Sequence, residues 1–459
     1  MSFLKIPRKD AGYRPVLDRI HDYGEVEQTL NSADRMQQSS RCMDCGVPFC
    51  HWACPVDNRI PEWQAAVAKG KWREAYEILA STNDFPEFTG RICPAPCEKS
   101  CVLNINHEPV TCRENEVAII ERAFLEGWVV AAPPTKRFDK RVAVVGSGPA
   151  GLAATNQLNL AGYHVTVFEK DESAGGLLRF GIPDFKLQKD VIDRRITLME
   201  AEGVTFVFNT KPDADLLNTF DAVAICIGAG TPRNLLIPGR ELSGIHFALD
   251  LLQQQNRVIA GAEIDPAEKI SAKGKHVLVI GGGDTGSDCV GTSARHGAEK
   301  VTQIEIMPKP PVQENPATPW PLYPNVLKTS SSHEEGCERR WNIETIEFRG
   351  EDGAVKSAII EEVEWKNGAP VRTGKREEIK ADLVLLSMGF VYPEQDGLVS
   401  ELAFNLDGRK NIATTKGYKT SVPKFFAAGD CRTGASLVVR AIAEGRRMAD
   451  EIASFLKVK

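Results

Sequence analysis

Two copies of one strand, glycine turn and helix pattern, 135 positions apart, constrain this chain more than any other feature. In the first copy the apolar run Val142-Ala-Val-Val ends in Gly146-Ser-Gly148-Pro149-Ala150-Gly151, and a helix is expected over Leu152–Ala161. In the second, His276-Val-Leu-Val-Ile ends in Gly281-Gly-Gly283-Asp284-Thr285-Gly286. In G-x-G-x-x-G the first glycine makes a tight turn and the second lets a pyrophosphate approach the backbone. The third lets helix and strand pack closely, and the helix N-terminus favours the phosphate charge. Each copy continues alike. Glu169 closes a second strand 18 residues after Gly151, and Glu305 closes its counterpart 19 residues after Gly286. An acid there accepts hydrogen bonds from an adenosine ribose. Third strands follow at Asp221-Ala-Val-Ala-Ile and at Ala381-Asp-Leu-Val-Leu-Leu-Ser-Met-Gly389. Two doubly wound α/β nucleotide-binding domains are the expected fold. One nucleotide that stays and one that comes and goes suggests a flavin with a nicotinamide.

Three more segments carry information. Phe425-Phe-Ala-Ala-Gly429-Asp430 reads as an apolar strand ending where backbone can approach a flavin ribityl or pyrophosphate, with an acid beside it. Ahead of the first glycine turn, residues 1–138 read as helical and loop-rich. Trp63, Ala66, Val67, Trp72, Tyr76 and Leu79 have near-helical spacing broken at Gly70, and Val117, Ile120 and Phe124 repeat it over Asn115–Trp128. Pro133-Pro134 marks a linker. That N-terminal segment holds eight of the twelve cysteines, all between residues 42 and 112. The start of the chain shows no secretory h-region, and no apolar run is long enough to span a bilayer. A cytoplasmic protein is therefore expected, in which clustered thiols are metal ligands rather than disulfides. A net charge of -6 gives no reason to expect nucleic acid or anionic membrane as a partner.

Cys42-x2-Cys45-x4-Cys50-x3-Cys54-Pro55 follows the ferredoxin run with a longer middle gap, and Cys93-x3-Cys97-x3-Cys101 forms a second group. Eight thiols fit two [4Fe–4S] centres with Cys112 as the eighth ligand, or two zinc sites. Ligands that interleave, rather than falling into two close pairs, favour clusters. Cys226, Cys289, Cys337 and Cys431 read as structural thiols.

Arg41-Cys-Met-Asp-Cys-Gly-Val-Pro-Phe-Cys-His-Trp-Ala-Cys-Pro, Asn83-Asp-Phe-Pro-Glu-Phe-Thr-Gly-Arg-Ile-Cys-Pro-Ala-Pro-Cys-Glu and Gly175-Gly-Leu-Leu-Arg-Phe-Gly-Ile-Pro-Asp-Phe-Lys-Leu resemble the small (beta) subunit of glutamate synthase. Gly281 to Asp288 and Phe426 to Asp430 extend the match over nearly the whole chain. A related module occurs in dihydropyrimidine dehydrogenase and in electron-bifurcating ferredoxin oxidoreductases. The resemblance implies a helical iron–sulfur domain at 1–138, an FAD domain at 139–250 and 390–459, and an NAD(P)H domain at 251–389. It implies cofactor contacts at Gly176, Leu177, Lys186 and Gly389 as well as at the two glycine turns, Glu169, Glu305, Gly429 and Asp430. It assigns Cys42, Cys45, Cys50 and Cys101 to one [4Fe–4S] cluster, and Cys54, Cys93, Cys97 and Glu116 to the other, leaving Cys112 a bystander. Arg440 stands where the family usually has an aromatic residue, and Ala435 where it has Gln.

The implied activity is oxidation of NADPH or NADH at FAD, with electrons passing through the clusters to a large (alpha) subunit. There 2-oxoglutarate and the ammonia of glutamine become glutamate. No acid–base residue of this chain is required, because positioning governs a hydride step. Glu305, followed by Ile306, Met307 and Pro308, leans towards NADH, although Arg295, Lys309, Arg339 and Arg340 can in principle reach a 2′-phosphate. Two other readings share these features: a subunit of an electron-bifurcating NADH–ferredoxin:NADP oxidoreductase, and an interaction protein that keeps the nucleotide folds without turnover.

Overall fold

The computed structural model describes residues 2–313 and 315–457. Two five-stranded parallel sheets organise it. In the first, strands run in the order Phe425–Ala427, Ala222–Ile225, Arg141–Val145, His164–Phe168, Thr205–Val207. In the second the order is Ile245–Phe247, Leu383–Leu386, His276–Ile280, Lys300–Glu305, Glu338–Trp341. In both, the strand before the glycine turn is central, flanked by the second and third strands, as the sequence duplication predicts. Central strands such as Val142–Val145 are buried along their length, so they read as continuous apolar runs rather than alternating ones.

The expected boundary at residue 250 shifts. Ile245–Phe247 pairs with Val384–Leu386 and belongs to the second sheet, so the second unit begins ahead of residue 251. A three-stranded antiparallel sheet, Ile343–Glu351, Ala354–Lys366 and Ala369–Lys380, is inserted between the second sheet's last two strands in chain order, Glu338–Trp341 and Leu383–Leu386. Its Ile343, Phe348, Val355 and Ile360 share a core with Leu278, Ile280, Ile304 and Val384, covering one face of the second sheet. Helices Ala248–Ile259 and Asp284–Arg295 cover the other, through Leu251, Leu252, Cys289 and Val290.

The N-terminal module is a set of short helices. Gly70, at φ +71°, separates Ile60–Ala68 from Trp72–Ala80, and Cys112–Leu125 is the longest. Its own core is small, built on Trp63, Val67, Leu79 and Ile119. Cys54, Val56, Phe85 and Phe88 instead pack into the core of the first nucleotide unit. Polar ties reinforce this wall: Asp84 accepts from Arg446 at 2.6 Å and from Asn156 at 2.6 Å, and Glu87 from Arg195 at 2.6 Å.

A buried ion cluster joins the module to the second unit. Glu335 accepts from Arg19 Nε at 2.8 Å and from Arg295 Nη1 at 2.5 Å, with all three side chains at most 2% exposed. Arg295 also lies 3.8 Å above the Phe185 ring of the first unit. Substituting Glu335→Ala removes the carboxylate that two buried guanidiniums share, leaving Arg295 without a carboxylate and Arg19 with Glu334 alone. Chemical denaturation of the full chain should show a loss of about 3 kcal/mol. An unchanged midpoint would mean that these cations are solvated.

Candidate nucleotide and cluster sites

The two glycine turns are built alike, position by position. Gly146 and Gly281 have φ +97° and +124°, and a Cβ on either would meet a backbone oxygen, of Cys226 at 2.5 Å or of Ser387 at 2.3 Å. A Cβ on Gly151 would stand 1.9 Å from the Gly146 oxygen, and one on Gly286 2.4 Å from the Gly281 oxygen. These outer glycines are there for packing. The middle ones, Gly148 and Gly283, face open space with no atom within 4 Å, and each caps the helix that follows, Pro149–Leu160 or Asp284–Arg295. Both helices start earlier than Leu152-type periodicity suggests, at Pro149 and at Asp284, which brings Ala150 and Thr285 into their first turns. Each turn thus leaves a cradle that a side chain would fill, at a helix N-terminus suited to pyrophosphate.

The two acids also repeat each other. Glu169 accepts from Ser147 N–H at 2.9 Å and from Asp171 N–H at 3.0 Å. Glu305 accepts from Gly282 N–H at 2.6 Å and from Met307 N–H at 3.1 Å. Each carboxylate is therefore held between its glycine turn and the backbone two residues on, at the edge where an adenosine ribose would lie.

Of the cations expected near a 2′-phosphate, two are engaged elsewhere. Arg295 is buried against Glu335, contrary to the expectation that it can reach a nucleotide, and Arg340 pairs with Glu377 at 2.7 Å. Lys309 and Arg339 lie on Trp341, each 5.0 Å from its ring centroid, and Trp341 is the register partner of Glu305.

Gly176, at φ +52°, approaches the first turn so closely that a Cβ would lie 3.0 Å from the Gly148 Cα, and Leu177 opens the short helix beyond it. Gly429 packs against Ala150, and its N–H donates to Glu444 at 2.8 Å. Asp430 accepts from Ser436 at 2.9 Å, and burial pushes its carboxyl up to about 6. This end of the chain thus folds over the first turn. Gly389 faces open space and its carbonyl accepts from Arg233 N–H at 2.9 Å. The Lys186 ammonium pairs with Asp288, on the helix after the second turn. Arg440 and Ala435 are exposed.

The cysteines sort into two hollows. Cys54, Cys93, Cys97 and Glu116 line one, together with Val439 from the first nucleotide unit. Cys42, Cys45, Cys50, Cys101 and Cys112 line the other, walled by Met43, Phe49, Leu103 and Val110, and the Cys112 thiol also meets Cys97 of the first. Among the described residues no three Cys, His, Asp or Glu side chains are drawn together closely enough to hold a single metal ion. Burial pushes the thiols of Cys50, Cys54 and Cys93 up. Thiolates gathered in such walls need compensating positive charge, which iron supplies.

Glu116 is held by three donors: Asn58 Nδ2 at 3.1 Å, Asn83 Nδ2 at 3.2 Å and the Thr89 hydroxyl. Burial raises its carboxyl to about 7 against the pull of the Thr89 bond. Sequence reasoning missed Asn58, Asn83, Thr89 and Glu444, whose contacts span long separations; the only local signal is that Asn83 and Thr89 flank Phe85 within the family-like stretch.

A family model for dihydropyrimidine dehydrogenase domain II, 4Fe-4S cluster, matches residues 19–128, and one for pyridine nucleotide-disulphide oxidoreductase matches 140–445. The glutamate synthase [NADPH] small chain of Mycobacterium tuberculosis is 49% identical, the alignment covering 99% of this chain and 95% of that one. The chain belongs to the glutamate synthase small-chain family. The Escherichia coli small chain is 34% identical over 100% of this chain and 99% of its own. The glutamate synthase [NADH] of Schizosaccharomyces pombe is 44% identical over 98% of this chain, which spans 22% of that longer protein. Among solved structures, M. tuberculosis FprA in complex with NADPH shares the fold, at a TM-score of 0.55 and 20% identity, over 70% of this chain and 85% of that one.

Because Gly148 and Gly283 face open space, Val at either should fold and fill only the cradle. Gly148→Val should lower the flavin-to-protein ratio of purified protein, and Gly283→Val should leave it unchanged. Loss of flavin from both variants alike would contradict separate cradles.

Proposed function

We infer that the chain is the NAD(P)H-oxidising small chain of a glutamate synthase, an FAD and iron–sulfur oxidoreductase. The observation that carries this is the sorting of two ligand sets into separate hollows beside two duplicated nucleotide cradles, in a chain whose full-length relatives are glutamate synthase chains. Those relatives leave the electron-bifurcating alternative without a supporting observation. When bound, FAD takes a hydride from NAD(P)H and the clusters carry its electrons onward singly. The residues do the positioning. The first turn, Glu169, Gly176, Leu177 and Gly429-Asp430 hold the flavin nucleotide. The second turn, with Asp284, Thr285 and Glu305, holds the nicotinamide nucleotide. Lys186 and Asp288 tie the two cradles together. Cys54, Cys93, Cys97 and Glu116 hold the cluster site that touches the flavin unit; Cys42, Cys45, Cys50 and Cys101 hold the outer one.

The electron acceptor is a large (alpha) subunit that makes L-glutamate from L-glutamine and 2-oxoglutarate. The S. pombe relative, in which a region like this chain is a fifth of one polypeptide, supports such a pairing. Among the described residues no helix is long and apolar enough to cross a membrane, and thiol-held clusters suit the reducing cytoplasm. Purified chain should show flavin and iron–sulfur absorbance, oxidise NAD(P)H with an artificial dye, and form glutamate only when mixed with a large subunit. Purified protein without iron–sulfur absorbance would overturn the reading.

The nucleotide is NADH on this reading. Glu305 is held as Glu169 is, and Glu169 faces a ribose whose 2′-hydroxyl is free in FAD. A 2′-phosphate beside the fixed Glu305 carboxylate costs ~1–4 kcal/mol of repulsion. The small-chain relatives that match along nearly their whole length carry NADPH in their names, and the NADH name belongs to the longer S. pombe protein. The Glu305 argument therefore runs against the small-chain names, and a measurement decides it. Steady-state oxidation should favour NADH by about tenfold or more, equivalent to ~1.4 kcal/mol. Glu305→Ala should shift the preference towards NADPH by removing the repulsion beside Lys309 and Arg339, which lie on Trp341. A wild-type preference for NADPH would refute the argument.

A further inference from the structure

Between the strand Lys300–Glu305 and the helix Ser331–Glu334, the second nucleotide unit sends a segment across to the N-terminal module. Residues 315–330 fold on themselves: Asn325 N–H donates to Thr318 Oγ1 at 3.0 Å, and Asn315 Nδ2 to the Asn325 carbonyl at 3.1 Å. The segment ends beside the second cradle, where the Ser330 and Ser287 hydroxyls meet at 2.5 Å. Its far end reaches a cluster hollow. The Trp320 ring lies on Phe49, centroids 4.8 Å apart, and its Nε1–H donates to the Cys101 carbonyl at 3.3 Å. The Ser100 hydroxyl donates to the Pro321 carbonyl at 2.7 Å. Phe49 and Cys101 both line the hollow of Cys42, Cys45 and Cys50.

We propose that Trp320 is a positioning residue for this outer cluster site: the nucleotide unit supplies, through one indole, an outer wall of a site whose ligands all belong to another module. The indole does two things. It fixes the backbone of a ligand residue, Cys101, and it covers the Phe49 face of the hollow. Val47 and Trp52, on either side of Phe49 in the chain, are 75% and 63% exposed, whereas Phe49 is covered by the Trp320 ring from the nucleotide unit. Water near a cluster stabilises the extra negative charge of its reduced form, so an outer wall of this kind holds the potential down and slows attack by oxygen. The proposal rests on the iron–sulfur reading of the hollow.

The test uses the full chain, purified anaerobically, as wild type, Trp320→Ala and Trp320→Phe. Potentiometric EPR titration and the rate of bleaching in air are read for each cluster. Trp320→Ala should move the potential of one cluster upwards and hasten its loss several-fold, with flavin content and the other cluster unchanged. Trp320→Phe keeps a ring on Phe49 and loses the N–H, so it should fall between. Wild-type potentials and bleaching rates in Trp320→Ala would overturn the proposal. Loss of both clusters and flavin together in Trp320→Ala, with Trp320→Phe at wild-type values, would overturn it as well. A wild-type chain without iron would instead overturn the cluster reading itself.

Discussion

A single buried carboxylate organises the N-terminal module. Glu116 sits on the helix Cys112–Leu125, and its three donors come from two other segments: Asn58 follows Cys54, and Asn83 and Thr89 precede Cys93. Leaving such a group unpaired in an apolar wall would be costly, so its donors must be in place when the module forms. Their convergence draws the stretches bearing Cys54 and Cys93 onto the helix that carries Glu116. Three thiols and one carboxylate then share a wall with the first nucleotide unit, because Cys54, Phe85 and Phe88 pack into that unit's core. The N-terminal module is thereby an outgrowth of the first nucleotide unit's core and not a separate bead on a linker.

The duplication shows which parts of the nucleotide fold are structural and which are chemical. Outer glycines of each turn are crowded by backbone, the middle ones face open space, and the acids accept the same two kinds of amide. The copies diverge in what surrounds them. The long C-terminal helix Val438–Lys457 closes over the first, where a Cβ on Gly445 would meet the Ala150 oxygen at 2.2 Å. A three-stranded sheet packs instead on one face of the second parallel sheet, away from its turn's own helix.

Much of this was legible in the sequence because it is local. Glycine turns, their strands and their acids lie within about 20 to 30 residues of one another, and steric rules relate them. The division of the cysteines was legible from spacing only in part. The ferredoxin-like run already pointed to interleaving, but only the family resemblance put Cys54 with Cys93 and Cys97, and Cys101 with Cys42, as the two hollows have them. Cys112 looked like an eighth ligand by count, yet it lines a hollow that already has four thiols. The inserted sheet escaped because Ala369–Lys380 is exposed along both faces and lacks the alternation that marks a half-buried strand. Arg295 read as a free cation until its partners, Glu335 and the Asp22 carbonyl, came from distant segments.

The central claim is that the eight ligands divide into two sets with Glu116, and not Cys112, completing the set beside the flavin unit. Iron content and cluster EPR of anaerobically purified Glu116→Ala and Cys112→Ala test it most directly. The structure predicts that Cys112→Ala retains both clusters and that Glu116→Ala loses or converts one while keeping the other. Loss of a cluster from Cys112→Ala, with both retained in Glu116→Ala, would contradict it.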